Sequence, residues 1–452
     1  MKSSSESARA ARFLAVVLGC TGAAVAADVP TEAYRAVPMP EGFRVEATEL
    51  DGPVFATAEG LTLYEWPQHK HRNGYSADAP GISECRDTVI TVTAGLMSPY
   101  PAGIELPDLD MRLACTEAWP PVLAAEDAEP VGDWSIIERD DGRRQWAFDE
   151  QPLYTSHLDR RPGDVLGGST RRYGGDSPAY RVPIKPPPAI PPGFAVRSTS
   201  VGRMLTTHLN EALYAYDGDS ATETGCLGDC LTWFRPVLAP ALARPQGEWS
   251  VLERSPGVRQ WVYRGEPLYT HTLDQESWSQ QGSDVPGWHN VFTQEAPEWP
   301  ESFRVEATLA GNVLADRNGK TIYVYYCGED TLDSLACDHP VYTQVYRIAM
   351  CGGGDPEKCL EHWPYVEAGD DAETDNRSWN IVTIDPLTGR FAEATDPRAL
   401  RVWAYRDRPV YTFGPDRVPG DVHGGGTGEW RGQRNGLRAF WVRDDFMRGI
   451  LR

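Results

Sequence analysis

The chain writes one stretch twice. WSIIERDDGRRQWAFDEQPLY occupies residues 134–154, and WSVLERSPGVRQWVYRGEPLY occupies residues 249–269. A third, expanded version runs from Trp379 through Trp403 to Tyr411. Self-similarity at long spacing divides a chain into units that solve the same packing problem, so it limits the architecture before any single residue does. Within the repeat, Trp134, Ser135, Ile136, Ile137, Glu138 and Arg139 favour a strand, Asp140, Asp141 and Gly142 have turn chemistry, and Gln145 to Phe148 resume a strand. A further turn at residues 149–152 leads into Leu153 and Tyr154, which predicts an antiparallel meander. Trp134, Trp146 and Tyr154 then fall where large rings fill a small core, and repetition preserves a packing solution first.

The flanks recur in the same order. Phe43 to Thr48 is nearly duplicated by Phe303 to Thr308, and Phe194 opens the middle copy. An aromatic strand follows: Leu63-Tyr64-Glu65-Trp66, Leu213-Tyr214-Ala215-Tyr216-Asp217 or Ile322-Tyr323-Val324-Tyr325. Next, a cysteine stands four residues before an aromatic: Cys115 and Trp119, Cys230 and Phe234, Cys359 and Trp363. Each copy closes on an acidic turn, Asp159 then Asp164, Asp274 then Asp284, or Asp416 then Asp421. The order predicts a mainly β fold of three tandem, small antiparallel modules with short helical turns and disulfides. Their bounds are residues 41–183 with an insertion at 66–114, residues 193–295, and residues 301–443 with an insertion at 327–350. Residues 184–192 form a proline-rich join that favours an extended, stiff spacer. Whether the modules pack on one another is left open.

Residues 1–27 read as an export signal. Lys2, Arg9 and Arg12 precede an apolar run, and Ala24-Val25-Ala26 offers a small-residue cleavage site. A competing reading makes Val17-Leu18-Gly19-Cys20 a lipoprotein box, with a lipid anchor on Cys20. No later segment has the 18 or so apolar residues of a membrane span. Either route places the folded part in the periplasm or outside the cell. Beyond the signal stand Cys85, Cys115, Cys226, Cys230, Cys327, Cys337, Cys351 and Cys359, an even set that argues for disulfides in an exported chain. Neighbours in sequence are the plausible pairs: Cys85 with Cys115, Cys226 with Cys230, Cys327 with Cys337 and Cys351 with Cys359. The net charge of −22 argues against nucleic acid, which is bound through clustered Lys and Arg.

The ordered set of Leu213 to Asp217, the Cys226 to Cys230 loop, Cys115 to Pro121, Trp134-Ser135, Gln145-Trp146, Pro152-Leu153-Tyr154 and Pro162-Gly163-Asp164 resembles the secreted repeat, or predicted lipoprotein repeat, family of bacterial exported proteins. The resemblance covers nearly all of residues 41–442. It implies an envelope protein without an established enzymatic activity, and it carries no catalytic set to transfer. Two copies depart from the pattern after the aromatic strand, where Pro67 and Cys327 replace the expected Asp.

The residue chemistry fits a non-catalytic, exported protein that binds or scaffolds an envelope macromolecule or small ligand. Candidate binding residues are Tyr214, Tyr216, Asp217 and Asp219 at the end of the middle aromatic strand, with Trp146, Trp261 and Trp403 as an aromatic platform. The alternative is extracytoplasmic redox or metal handling, of copper, iron or calcium. Asp217 and Asp219 offer hard oxygen ligands, and His69 and His71 flank Lys70 at a spacing that aims two imidazoles at one face of a strand. No cofactor is required by any motif. The serine-elbow, zinc-peptidase, phosphate-loop and dinucleotide signatures are missing, so an enzyme is the weaker expectation.

Overall fold

The computed structural model describes residues 31–66, 78–88, 113–167, 181–274, 279–326, 339–428 and 436–443. Residues 1–30, with the expected export signal and Cys20, and His69, His71, Cys327 and Cys337 lie outside the described residues. Residues 31–452 belong to one compact unit, which is mainly β and built of many small antiparallel sheets.

Three stretches of chain follow the same sequence of pairings. Each starts with a hairpin: Phe43–Ala47 on Pro53–Thr57, Phe194–Thr199 on Gly202–Thr207, and Phe303–Ala307 on Asn312–Asp316. Each then has a meander: Trp134–Glu138, Arg144–Phe148 and Gln151–Pro152; Trp249–Ser255, Val258–Tyr263 and Glu266–Pro267; Trp379–Ile384, Leu400–Tyr405 and Arg408–Tyr411. The tight turns at 149–150, 264–265 and 406–407 have positive φ at both central residues, the geometry that matches strand twist in a two-residue hairpin. Only Gly265 takes it without a side chain; Asp149, Glu150, Arg264, Arg406 and Asp407 are held left-handed by the ladders on either side.

The meander and hairpin close on each other through aromatic rings. Phe43 stacks on Trp134 at 4.7 Å, Phe194 sits 4.6 Å from Trp249, and Phe303 lies 5.2 Å from Trp379. Trp134, Trp249 and Trp379 are at most 2% exposed. Burying roughly 150–250 Å² per ring removes about 4–6 kcal/mol of apolar hydration each, which explains why the tryptophans recur. Trp146, Trp261 and Trp403 pack edge-on in the same clusters and are also buried.

The short aromatic strands Tyr64–Glu65, Tyr214–Tyr216 and Tyr323–Tyr326 carry this core to the end of the meander. Tyr64 exchanges both backbone hydrogen bonds with Tyr154, and Tyr214 and Tyr323 pair with Tyr269 and Tyr411. Short helices accompany the second cysteines at Cys115–Ala118 and Cys230–Trp233. In the third stretch the helix is longer, Pro356–His362, because Asp355 caps two backbone N–H groups and Pro356 fits the first turn. A further helix, Val345–Gly352, starts in the predicted insertion, runs past its end at residue 350 and stops where Gly353 turns left-handed. Among the described residues no helix is long and apolar enough to cross a membrane.

The stretches pack together. The loop closing the first hairpin is the centre of contact: Leu50 is 7% exposed and joins the core of Phe303 and Trp379. Asp51 pairs with Arg406 at 2.8 Å, while the Thr48 carbonyl accepts a hydrogen bond from Gln294 of the middle stretch at 2.7 Å. Glu32 is clamped by Arg203 and Thr293, both of the middle stretch, and all three are buried. Asp284 takes both guanidinium nitrogens of Arg443, at 2.6 and 2.8 Å, linking the middle and last stretches. The proline-rich join is extended but bonded along its length: Arg35 donates to the Pro187 carbonyl, Ala189 to that of Ala33, and Ile184 enters the first core.

Candidate functional site

Three disulfides are present, Cys85–Cys115, Cys226–Cys230 and Cys351–Cys359, with Cα separations of 5.3, 5.3 and 4.7 Å. They are three of the pairs that sequence proximity suggests; Cys327 and Cys337 fall outside the described residues. Beside each bridge lies the same buried constellation. The Tyr64 hydroxyl donates to Asp159 at 2.8 Å, that of Tyr214 to Asp274 at 2.8 Å, and that of Tyr323 to Asp416 at 2.7 Å. The hydroxyls of Tyr214 and Tyr323 also accept the N–H groups of Gly282 and Gly424. A Cβ on Gly282 or Gly424 would fall within 2.5 Å of a tyrosine or tryptophan ring, so only glycine lets the chain approach this closely. The effect is to pin the acidic turn of each stretch to its aromatic strand.

A second network recurs in two stretches. Arg139 donates to Gln145, Ser83 and the Cys85 carbonyl; Arg254 donates to Gln260, Thr224 and the Cys226 carbonyl. Gln145 and Gln260 then donate to the Leu153 and Leu268 carbonyls. Asp219 accepts from the Tyr269 hydroxyl and the Gly225 N–H. Asp78 occupies the same place in the first stretch, accepting from Glu84 N–H and lying beside the Tyr154 hydroxyl. The counterpart of Asp219 in the first stretch is therefore supplied from within the insertion. In the last stretch Arg347 fills this space, donating to the Tyr365 hydroxyl and the Cys359 sulfur at 2.7 and 3.1 Å.

Burial sets the protonation of these groups in the first stretch. It pushes the Asp159 carboxyl up to about 8 and that of Asp78 up to about 7, each against hydrogen bonds that favour the charged form. Glu65 is also pushed to about 7, by burial and then by the charge of Asp149. In the middle stretch burial raises Asp274, opposed by hydrogen bonds from His271 and Tyr214.

The residues singled out in the sequence do not form one site. Tyr214 is buried in the Asp274 pair, and Tyr216 stacks on Trp288 at 4.9 Å. Asp217 faces solvent and bonds His289 at 3.1 Å, whereas Asp219 turns inward to Tyr269. Trp146 and Trp261 are core rings; Trp403, equally buried, contributes to the floor of a polar groove of about 610 Å³ that includes Asp316, Glu367 and Asp371. Among the described residues one group has metal-ligand spacing: Asp416, Asp421 and His423, whose ligand atoms lie within 4.8 Å of one another. Both oxygens of Asp416 already accept protein hydrogen bonds, from Tyr323 and from His423. Backbone N–H groups of Val418 and Arg417 hold Asp421 below the usual carboxylate range.

Sequence reasoning missed a cleft in the middle stretch. Trp233, Phe234, His271, Leu273, Gln281, Asp284 and Val285 line a space of about 600 Å³. Trp233 is 50% exposed, in a chain whose other tryptophans mostly lie in cores. It ends the Cys230–Trp233 helix at the position held by Ala118 and His362 elsewhere. Behind it, His271 is 8% exposed and its Nδ1 lies 3.0 Å from Asp274. The first and last stretches have Ser156 and Phe413 at this position, and there the matching carboxylate oxygen accepts a backbone N–H, from Leu166 or His423. Reading Trp233 and His271 against their counterparts would have flagged both as departures. No family model, curated protein or solved structure matches the chain.

Proposed function

We propose that this chain is an exported, non-catalytic protein of the cell envelope that binds or scaffolds through its surface, built from three modules similar to the secreted repeat family. One observation carries this: large apolar side chains stand exposed together on the middle stretch while the carboxylate and tyrosine groups beneath are engaged in holding turns to strands. Leu231, Trp233, Leu273 and Val285 are between 37% and 50% exposed. Exposed apolar clusters of this kind mark contact or ligand surfaces. The three disulfides support an oxidising compartment. The test is co-sedimentation of the purified, oxidised chain with isolated cell envelopes, with and without a chelator. The chain is expected in the pellet in both cases; recovery in the supernatant, or release by chelator, overturns the proposal.

A second reading, cation handling, is favoured by Asp416, Asp421 and His423. It is the weaker because a cation there competes with hydrogen bonds that Asp416 already makes. Calorimetric titration with calcium and zinc tests it, and a His423→Ala variant separates a site from surface adsorption.

A further inference from the structure

We propose that the cleft walled by Trp233, Phe234, Leu273 and Val285 is a binding site for a small ring compound bearing a hydrogen-bond donor, of the phenol or indole class, with the donor directed to His271 Nε2. This rests on the binding reading above and assigns its ligand chemistry.

Three observations meet here. The volume, about 600 Å³, is that of small-molecule sites, and four of its seven lining residues are apolar. The indole of Trp233 is half exposed on one wall, a flat face for stacking. The third observation is the imidazole. Asp274 accepts from Tyr214 through Oδ2 and from His271 through Oδ1, so in the neutral ring the proton sits on Nδ1. Nε2 is then an acceptor with no partner among the described residues, on a side chain more than nine-tenths buried that lines the cleft. Nε2 is reachable from the cleft, and a ring that displaces its water leaves it uncompensated unless the ring carries a donor, so the cleft selects a donor. The sequence supplies this arrangement in one stretch only. The Trp that fills the core at residues 119 and 363 is replaced by the smaller Phe234, a Trp appears one position earlier at the surface, and a histidine replaces Ser156 or Phe413. Asp284 does not bring net charge to the site, because Arg443 already neutralises it through two hydrogen bonds.

The experiment is ligand-observed NMR titration of the full oxidised chain with 4-methylphenol and with toluene, which has the same ring and no donor. Saturable binding of 4-methylphenol is expected, with toluene weaker by roughly three- to tenfold. Trp233→Ala, an exposed change, weakens both ligands at least fivefold. His271→Phe, which installs the residue type found in the third stretch, removes the preference for the phenol and leaves toluene binding in place. A wild-type chain that does not bind 4-methylphenol, that binds both compounds equally, or that is unaffected by Trp233→Ala overturns the assignment. Envelope co-sedimentation without phenol binding would sink this inference and leave the broader binding proposal standing; loss of both would sink the two together.

Discussion

Removing the hydroxyl of Tyr323 offers a direct probe of the groups that hold the acidic turns to their aromatic strands. In Tyr323→Phe the ring stays, packed edge-on against Trp363 at 5.1 Å, so the apolar contribution is retained. What goes is the 2.7 Å bond to Asp416 and the bond accepted from Gly424 N–H at 3.1 Å. A hydrogen bond to a charged group contributes about 1.5–3 kcal/mol, and the orphaned Gly424 N–H adds about 1 kcal/mol. A loss of about 2.5–4 kcal/mol is therefore expected in urea unfolding, read from the midpoint at unchanged slope. Tyr34→Phe, on an exposed ring, should change stability by less than about 0.5 kcal/mol. The pairwise part is isolated by a cycle with Asp416→Asn, which should show coupling of about 1–3 kcal/mol. If Tyr323→Phe costs no more than Tyr34→Phe, or the cycle is additive, the tyrosine–carboxylate pairs do not pin the acidic turns.

Other outcomes follow from the same geometry. Asp159, Asp78 and Glu65 have folded-state values raised to about 8, 7 and 7, above those of the unfolded chain, so the folded state binds more protons and stability falls as pH rises from about 4 to 8; urea midpoints that climb over this window would contradict the burial assigned to these groups. A Cβ on Gly163 or Gly420 would meet the Ala47 or Ala307 carbonyl at 2.5 or 2.6 Å, so alanine there should destabilise by more than about 2 kcal/mol, against about 1 kcal/mol at Gly142, where nothing lies within 4 Å. Replacing both cysteines of the 30-residue Cys85–Cys115 loop should cost about 3.5 kcal/mol and those of the 4-residue Cys226–Cys230 loop about 2 kcal/mol on chain entropy; a reversed order in denaturation would point to other sources of stability. Arg406→Ala leaves Asp51 buried without its cation and should cost about 3–5 kcal/mol, measured by the same unfolding assay, whereas a neutral result would mean the first and last stretches are not coupled there.

What the sequence made legible was local or repeated. Trp134 and Trp146 alternate with polar neighbours on either side of a turn, so the hairpin and its core face could be read directly, as could the bond between Cys226 and Cys230. Residues whose partners lie far along the chain left no such trace. Leu50 and Asp51 look like loop composition, yet they fill and pair with the third stretch because that loop reaches across to it. Asp78 was hidden by the insertion that separates it from its aromatic strand, although its spacing from Cys85 equals that of Asp219 from Cys226. Asp217 drew attention through its place at the strand end, but one residue of turn decides which carboxylate faces inward, and it is Asp219. Periodicity gives no weight to a single exposed Trp233 or to a His271 that differs from its counterparts, and it is such departures from a repeated packing solution that mark the cleft.

The buried carboxylates, tyrosines and sulfurs of this chain maintain structure, and the binding we propose lies on the exposed apolar cluster and cleft of the middle stretch. Native mass spectrometry of the purified protein, with and without denaturing alkylation, tests this most directly. A metal-free polypeptide is expected, in which Cys85, Cys115, Cys226, Cys230, Cys351 and Cys359 all resist alkylation until reduced. A stoichiometric metal ion, or reactive thiols among those six, would contradict it.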